Sequence, residues 1–262
     1  MPDRGRENGA GSVPLTLSKG SGGSRGRCQK MQLAMIQAFI FDLDGVIVDT
    51  ARYHYWAWRR LANELGFDFE EEKNEELKGV GRMESLELIL EWGGVAGLSE
   101  ARKHELAELK NGWYQEYVDQ MERDEILPGV MEFLDAARAQ GIRLAIGSGS
   151  KNAPGIIDRL ALNDYFAALI DGGQLTRSKP DPQVFELAAE ALGLAPGVCA
   201  VFEDAAKGVD AALAGGFYAV GVGLASALGH AHVVISGFER LTPSELAARL
   251  LAAKAKSVFG NS

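Results

Sequence analysis

Apolar residues repeat along this chain in two ways. Short continuous runs at 39–41, 144–147, 168–170, 198–202, 219–222 and 233–235 read as buried strands. Residues recurring three and four apart over 51–65, 82–92, 99–121, 130–139, 155–162, 182–192 and 205–214 read as amphipathic helices. Punctuation supports these bounds. Gly66 and Gly141 stop two of the helices, Asp181 and Pro182 supply cap and first-turn signals for a third, and Thr242-Pro243-Ser244-Glu245 is a capping box opening a terminal helix. Strands that alternate with helices imply a Rossmann-like α/β fold, a mostly parallel sheet with helices on both faces. The all-helical stretch 50–125 interrupts that alternation and reads as an inserted helical cap domain, leaving 36–49 and 126–262 as the catalytic core. Leu127-Pro128-Gly129 marks the return to the core. No internal repeat is present.

Residues 1–35 show no such periodicity. The first thirty are rich in Gly, Ser and Arg and carry a basic excess, so the sequence predicts a disordered, dispensable extension. The apolar residues that follow run directly into the first strand, which argues against a cleaved signal peptide and for a cytoplasmic protein. A chain of 262 residues with 47% hydrophobic content can bury one core plus a smaller satellite. The formal charge of −9 weighs against non-specific binding to nucleic acid or an anionic membrane. Cys28 and Cys199 are the two cysteines, one in the polar extension and one in an apolar run, so no structural disulfide is expected and Cys199 reads as core.

Candidate chemistry lies where strands end. Phe39-Ile40-Phe41-Asp42-Leu43-Asp44-Gly45 is an apolar strand finishing on two carboxylates two positions apart, which can face the same way before glycine turns the chain. One carboxylate can attack phosphorus while the other moves a proton, with a divalent metal relieving their repulsion. Gly147-Ser148-Gly149-Ser150-Lys151-Asn152, Ser178-Lys179-Pro180 and Phe202-Glu203-Asp204 follow at further predicted strand ends.

These four segments, in this order, resemble the haloacid dehalogenase superfamily of aspartate-nucleophile phosphotransferases, over nearly everything from residue 37 to about 253. The resemblance implies Asp42 as nucleophile and Asp44 as general acid and base. It implies a Mg²⁺ site from Asp42, the Asp44 backbone carbonyl, Glu203 and Asp204, with Ser148, Gly149, Ser150 and Lys179 binding the transferring phosphoryl group. Within the superfamily, the stretches 49–58, 77–86 and 148–152 are similar to the β-phosphoglucomutases. That similarity implies substrate contacts from His54, Trp58, Lys78, Gly79, Arg82, Lys151 and Asn152, with Arg82 clamping the non-reacting phosphate. Lys110 and Asn111 also fall in a similar stretch, though a long amphipathic helix accounts for them as well. Gly81 and Gly149 stand where those enzymes carry Ser and Ala, and Ala205 where Ser is common.

The resemblance implies a small-molecule phosphosugar substrate, β-D-glucose 1,6-bisphosphate as catalytic intermediate, and a monomer without nucleic-acid or membrane partners. The activity expected is interconversion of β-D-glucose 1-phosphate and glucose 6-phosphate. A cap-bearing sugar-phosphate phosphatase would share the core residues and is the rival reading. A non-enzymatic binding role would not need an intact nucleophile, acid and metal set.

Overall fold

The computed structural model describes residues 36–77 and 80–259. Residues 1–35, with Cys28, and Lys78 and Gly79 lie outside the described residues.

In chain order the elements are β1 (Ala38–Phe41), α1 (Ala51–Glu64), α2 (Glu71–Asn74), α3 (Arg82–Trp92), α4 (Glu100–Val118), α5 (Val130–Ala139), β2 (Arg143–Gly147), α6 (Ala153–Arg159), β3 (Ala168–Ile170), α7 (Gln183–Ala191), β4 (Cys199–Glu203), α8 (Ala206–Ala214), β5 (Tyr218–Val222), α9 (Ala225–Leu228), β6 (Val233–Ile235) and α10 (Pro243–Phe259). The six strands form one sheet in the order β3-β2-β1-β4-β5-β6, all neighbours parallel. Helices cover both faces, which is why β1, β4 and β5 are buried at every position and carry no apolar–polar alternation.

β1 lies where the strand order reverses, between β2 and β4. Phe41 is level with Ile146 of β2 and Phe202 of β4, so the three chains run out at nearly the same height. One face of the sheet is aromatic: Phe41 stacks on Phe202 with ring centroids 4.5 Å apart, and Phe39, Phe133 and Phe238 close the cluster. Each fully buried phenylalanine contributes about 1.5–3 kcal/mol. The other face packs smaller residues around Ile40, Val201, Phe185 and Phe217.

The chain leaves the sheet after β1 and returns beside itself. Val48 forms an antiparallel bridge with Ile126, and the Leu127 N–H donates to the Ile47 carbonyl at 2.9 Å. Between those crossings α1 packs on α4 and α3 on α4. Thr242 Oγ1 accepts the Glu245 N–H at 3.2 Å, one half of the expected capping box. Cys199 is buried, its thiol pushed up to about 11 by desolvation, as befits an inert core residue. Among the described residues no helix is long and apolar enough to cross a membrane.

Candidate active site

Parallel strands deliver their carboxyl ends to one edge, and the candidate residues gather there. Asp42 follows β1 directly and is buried, its N–H held by the Phe202 carbonyl at 2.9 Å. Glu203 ends β4 and is buried beside it. Lys179, from the loop before α7, joins the two: its ammonium donates to Asp42 Oδ1 at 2.5 Å and to Glu203 Oε1. Burial alone would lower this ammonium, but the charges of Asp42 and Glu203 outweigh it and hold it above lysine's ordinary value. Burial also pushes the Glu203 carboxyl up, against the pull of Lys179. Glu203 Oε2 accepts the Ala205 N–H at 3.0 Å, which fixes the carboxylate as the chain turns into α8.

Asp44 faces the helical segment. Its Oδ1 accepts a hydrogen bond from the Thr50 hydroxyl, a buried group at the mouth of α1. Desolvation first, and then the Asp42 charge, raise the Asp44 carboxyl from 3.8 to about 7. A group with that pKa can both give and take a proton near neutrality. Beyond Thr50 lies a buried set on α1 and α4. Lys110 Nζ is 2.9 Å from His54 Nδ1 and sits over the Trp58 ring, 4.3 Å from its centroid. Burial, with Arg82 nearby, lowers the lysine well below its ordinary value; burial and the Lys110 charge do the same to His54. The Tyr114 hydroxyl is buried against Thr50 without reaching hydrogen-bond geometry, and among the described residues it has no partner.

Ser148, at the end of β2, is buried, and its Oγ accepts the Ser150 N–H at 3.1 Å. Ser150 Oγ in turn accepts the Asn152 N–H at 3.2 Å, so Ser148 to Asn152 form a tight polar loop. Gly149 and Lys151 in that loop are exposed. The Asn152 side chain reaches α4, bonding Asn111 at 3.1 Å and Gln115 at 3.4 Å. Arg82 opens α3 and pairs with Glu108 at 2.7 Å.

The structure thus brings Asp42, Lys179 and Glu203 into contact, with Asp44 and Ser148 on the same edge. Trp58 is buried under Lys110 and offers no open face to a sugar. Thr50 and Tyr114 were not singled out from the sequence. A threonine before a helix reads as an N-cap, yet this hydroxyl makes no cap bond and serves Asp44 instead. Lys110 is only 3% exposed, which the solvated face of an amphipathic helix does not explain.

The donor set suits a hard dication, since Asp42, Asp44, Glu203 and Asp204 offer oxygen alone. Asp204 packs so close to Gly45 that a Cβ there would overlap its carboxylate, and Gly45 has φ +74°, which glycine tolerates best. Among the described residues no three such groups converge at ligand spacing. Asp42 and Glu203 each give an oxygen to the Lys179 ammonium, so the carboxylates share one edge without closing on one point.

A model of the haloacid dehalogenase-like hydrolases matches residues 36–216. The chain belongs to that family. It is 41% identical over 208 residues to the beta-phosphoglucomutase of Bacillus subtilis (strain 168), covering 79% of this chain and 92% of the relative. It is 31% identical over 183 residues to a phosphorylated carbohydrates phosphatase of Thermotoga maritima, covering 69% and 82% respectively. Its fold is similar to the crystal structure of a beta-phosphoglucomutase from Clostridium difficile, with a TM-score of 0.80 at 39% identity over 84% of this chain and all of the other. The family's α/β fold is the one the sequence pattern predicts.

Proposed function

We propose that the chain is a β-phosphoglucomutase, interconverting β-D-glucose 1-phosphate and glucose 6-phosphate through an aspartyl-phosphate enzyme and β-D-glucose 1,6-bisphosphate. The observation that supports the reading is the Thr50–Asp44 bond, which ties the carboxyl proposed for proton transfer to the start of the helical segment as well as to the sheet edge. A mutase must deliver a phosphoryl group to sugar and not to water, so coupling its proton donor to the element that covers the substrate has a purpose.

In the first half-reaction an Asp42 carboxylate oxygen attacks phosphorus, the bond to the donor oxygen breaks, and Asp44 protonates that oxygen. In the second, Asp44 takes the proton from a sugar hydroxyl as its oxygen attacks the Asp42 phosphoryl group and frees the carboxylate. The bisphosphate formed in this second step reverses its orientation before the first step is repeated on its other phosphate. Lys179 and Ser148 steady the transferring group's charge. Arg82 and Asn152 receive the phosphate that does not react, and a guanidinium suits that task at either end of the sugar. Lys151 belongs to the same reading. Mg²⁺, held by Asp42, Glu203, Asp204 and the Asp44 carbonyl, would neutralise charge between nucleophile and phosphate.

The 31% identity to a phosphorylated carbohydrates phosphatase supports the alternative, in which water replaces the sugar hydroxyl. Product analysis separates the two. With β-glucose 1-phosphate, a catalytic amount of the 1,6-bisphosphate and Mg²⁺, a mutase yields glucose 6-phosphate, whereas stoichiometric inorganic phosphate without glucose 6-phosphate would overturn the assignment. Asp42→Asn should lower turnover by at least about a thousandfold in the same assay while leaving the fold intact by circular dichroism.

A further inference from the structure

Glu108, Asn111 and Gln115 lie three and four residues apart and so occupy one face of α4. That face engages both side chains assigned above to the non-reacting phosphate. Glu108 Oε1 accepts from Arg82 at 2.7 Å, Asn111 Oδ1 accepts from Asn152 Nδ2 at 3.1 Å, and Gln115 Nε2 donates to Asn152 Oδ1 at 3.4 Å. One Arg82 nitrogen and the Asn152 amide nitrogen, both donors a phosphate would use, are already partnered by oxygens of the protein.

We infer that Glu108 is a residue that tunes phosphate affinity: its carboxylate holds the Arg82 guanidinium in place of a ligand phosphate, and a phosphate must displace it to bind. This rests on the reading of Arg82 as the phosphate clamp. The contact is built to yield. Glu108 is 71% exposed and touches Arg82 through one nitrogen, so the pair is weakly held. A phosphate dianion brings more charge and can take two guanidinium N–H groups at once, a geometry in which it wins. A neutral sugar or a singly charged anion lacks that advantage. Glu108 therefore competes with the ligand phosphate for Arg82 and costs phosphorylated ligands some affinity.

The test is calorimetric titration of the full chain with glucose 6-phosphate in Mg²⁺, which reads binding apart from turnover. Glu108→Gln should lower Kd about two- to fivefold, the range set by an exposed ion pair. The gain should vanish in an Arg82→Ala background and shrink as salt is raised. Glu105→Gln is the control. It removes the same charge from α4, but Glu105 pairs with Arg102 at 2.8 Å. An unchanged or weaker Kd in Glu108→Gln, or an equal gain in Glu105→Gln, overturns the inference. If Arg82→Ala alone leaves the affinity unchanged, the phosphate assignment of Arg82 fails and the inference with it. Loss of affinity in Arg82→Ala without a gain in Glu108→Gln overturns the inference alone.

Discussion

Asp44 is pulled in opposite directions by its neighbours. Burial and the Asp42 charge favour its protonated form, while the Thr50 hydroxyl and Lys179 favour the carboxylate, and the result is a pKa of about 7 against an ordinary 3.8. The folded state therefore holds this proton more tightly than the unfolded chain does. Its contribution to stability is fully present below about pH 3.8 and is lost as the pH rises through about 7. Asp44→Asn has no such dependence, so in urea melts without divalent cation its stability relative to the parent should improve by about 2–4 kcal/mol between pH 4 and pH 8. A difference that stays flat with pH would contradict the environment described. Tyr114 makes the converse point. Among the described residues its buried hydroxyl has no hydrogen-bond partner, so Tyr114→Phe should be neutral or stabilising, within about 1 kcal/mol by thermal unfolding. A loss well beyond that would mean that the phenol is paired. Asp42, Lys179 and Glu203 were legible in the sequence because strand ends and motif order mark them. Thr50 and Tyr114 were not, because a threonine before a helix and a tyrosine on an apolar face have commonplace structural explanations.

At the scale of elements, Gly208 shows how a helix can set a carboxylate. A Cβ at this position in α8 would overlap the Glu203 carboxyl group, so only glycine lets the helix pass so near. Gly208→Ala should shift Glu203 away from Lys179 and Asp42, lowering turnover about 10–100-fold, since displacements near 1 Å cost that much. Melting should fall by only a few degrees. Full activity in this variant would show that Glu203 has freedom the packing denies it. The longer elements were readable almost residue by residue: 51–65 became α1 (Ala51–Glu64), and 82–92 coincides with α3 (Arg82–Trp92). Helix 99–121 ends earlier, at Val118, because Asp119 to Met121 turn back toward the core. The two four-residue helices α2 and α9 were missed, being too short to display a period.

Taken as a molecule, the protein collects its candidate chemistry at the carboxyl edge of one sheet, with every named core group at or beyond Asp42. Removal of residues 1–30 should therefore leave turnover within about twofold of the full chain, and a large loss would mean that the extension takes part. The sheet's order was not legible from the apolar runs, because runs of equal hydrophobicity do not say which lies beside which. Only the alternation of strand and helix was visible, and it gave the parallel arrangement without the sequence of neighbours.

Beneath Asp42 the rings of Phe39, Phe41, Phe133, Phe202 and Phe238 interlock. Such a foundation cannot be shifted by a methyl group's width without disturbing several contacts at once. Adaptation to a larger or smaller sugar would have to come from whatever approaches Asp42. Laboratory selection for new substrates should thus collect its changes on α1, α3 and α4, while β1 and β4 pass through the rounds unaltered.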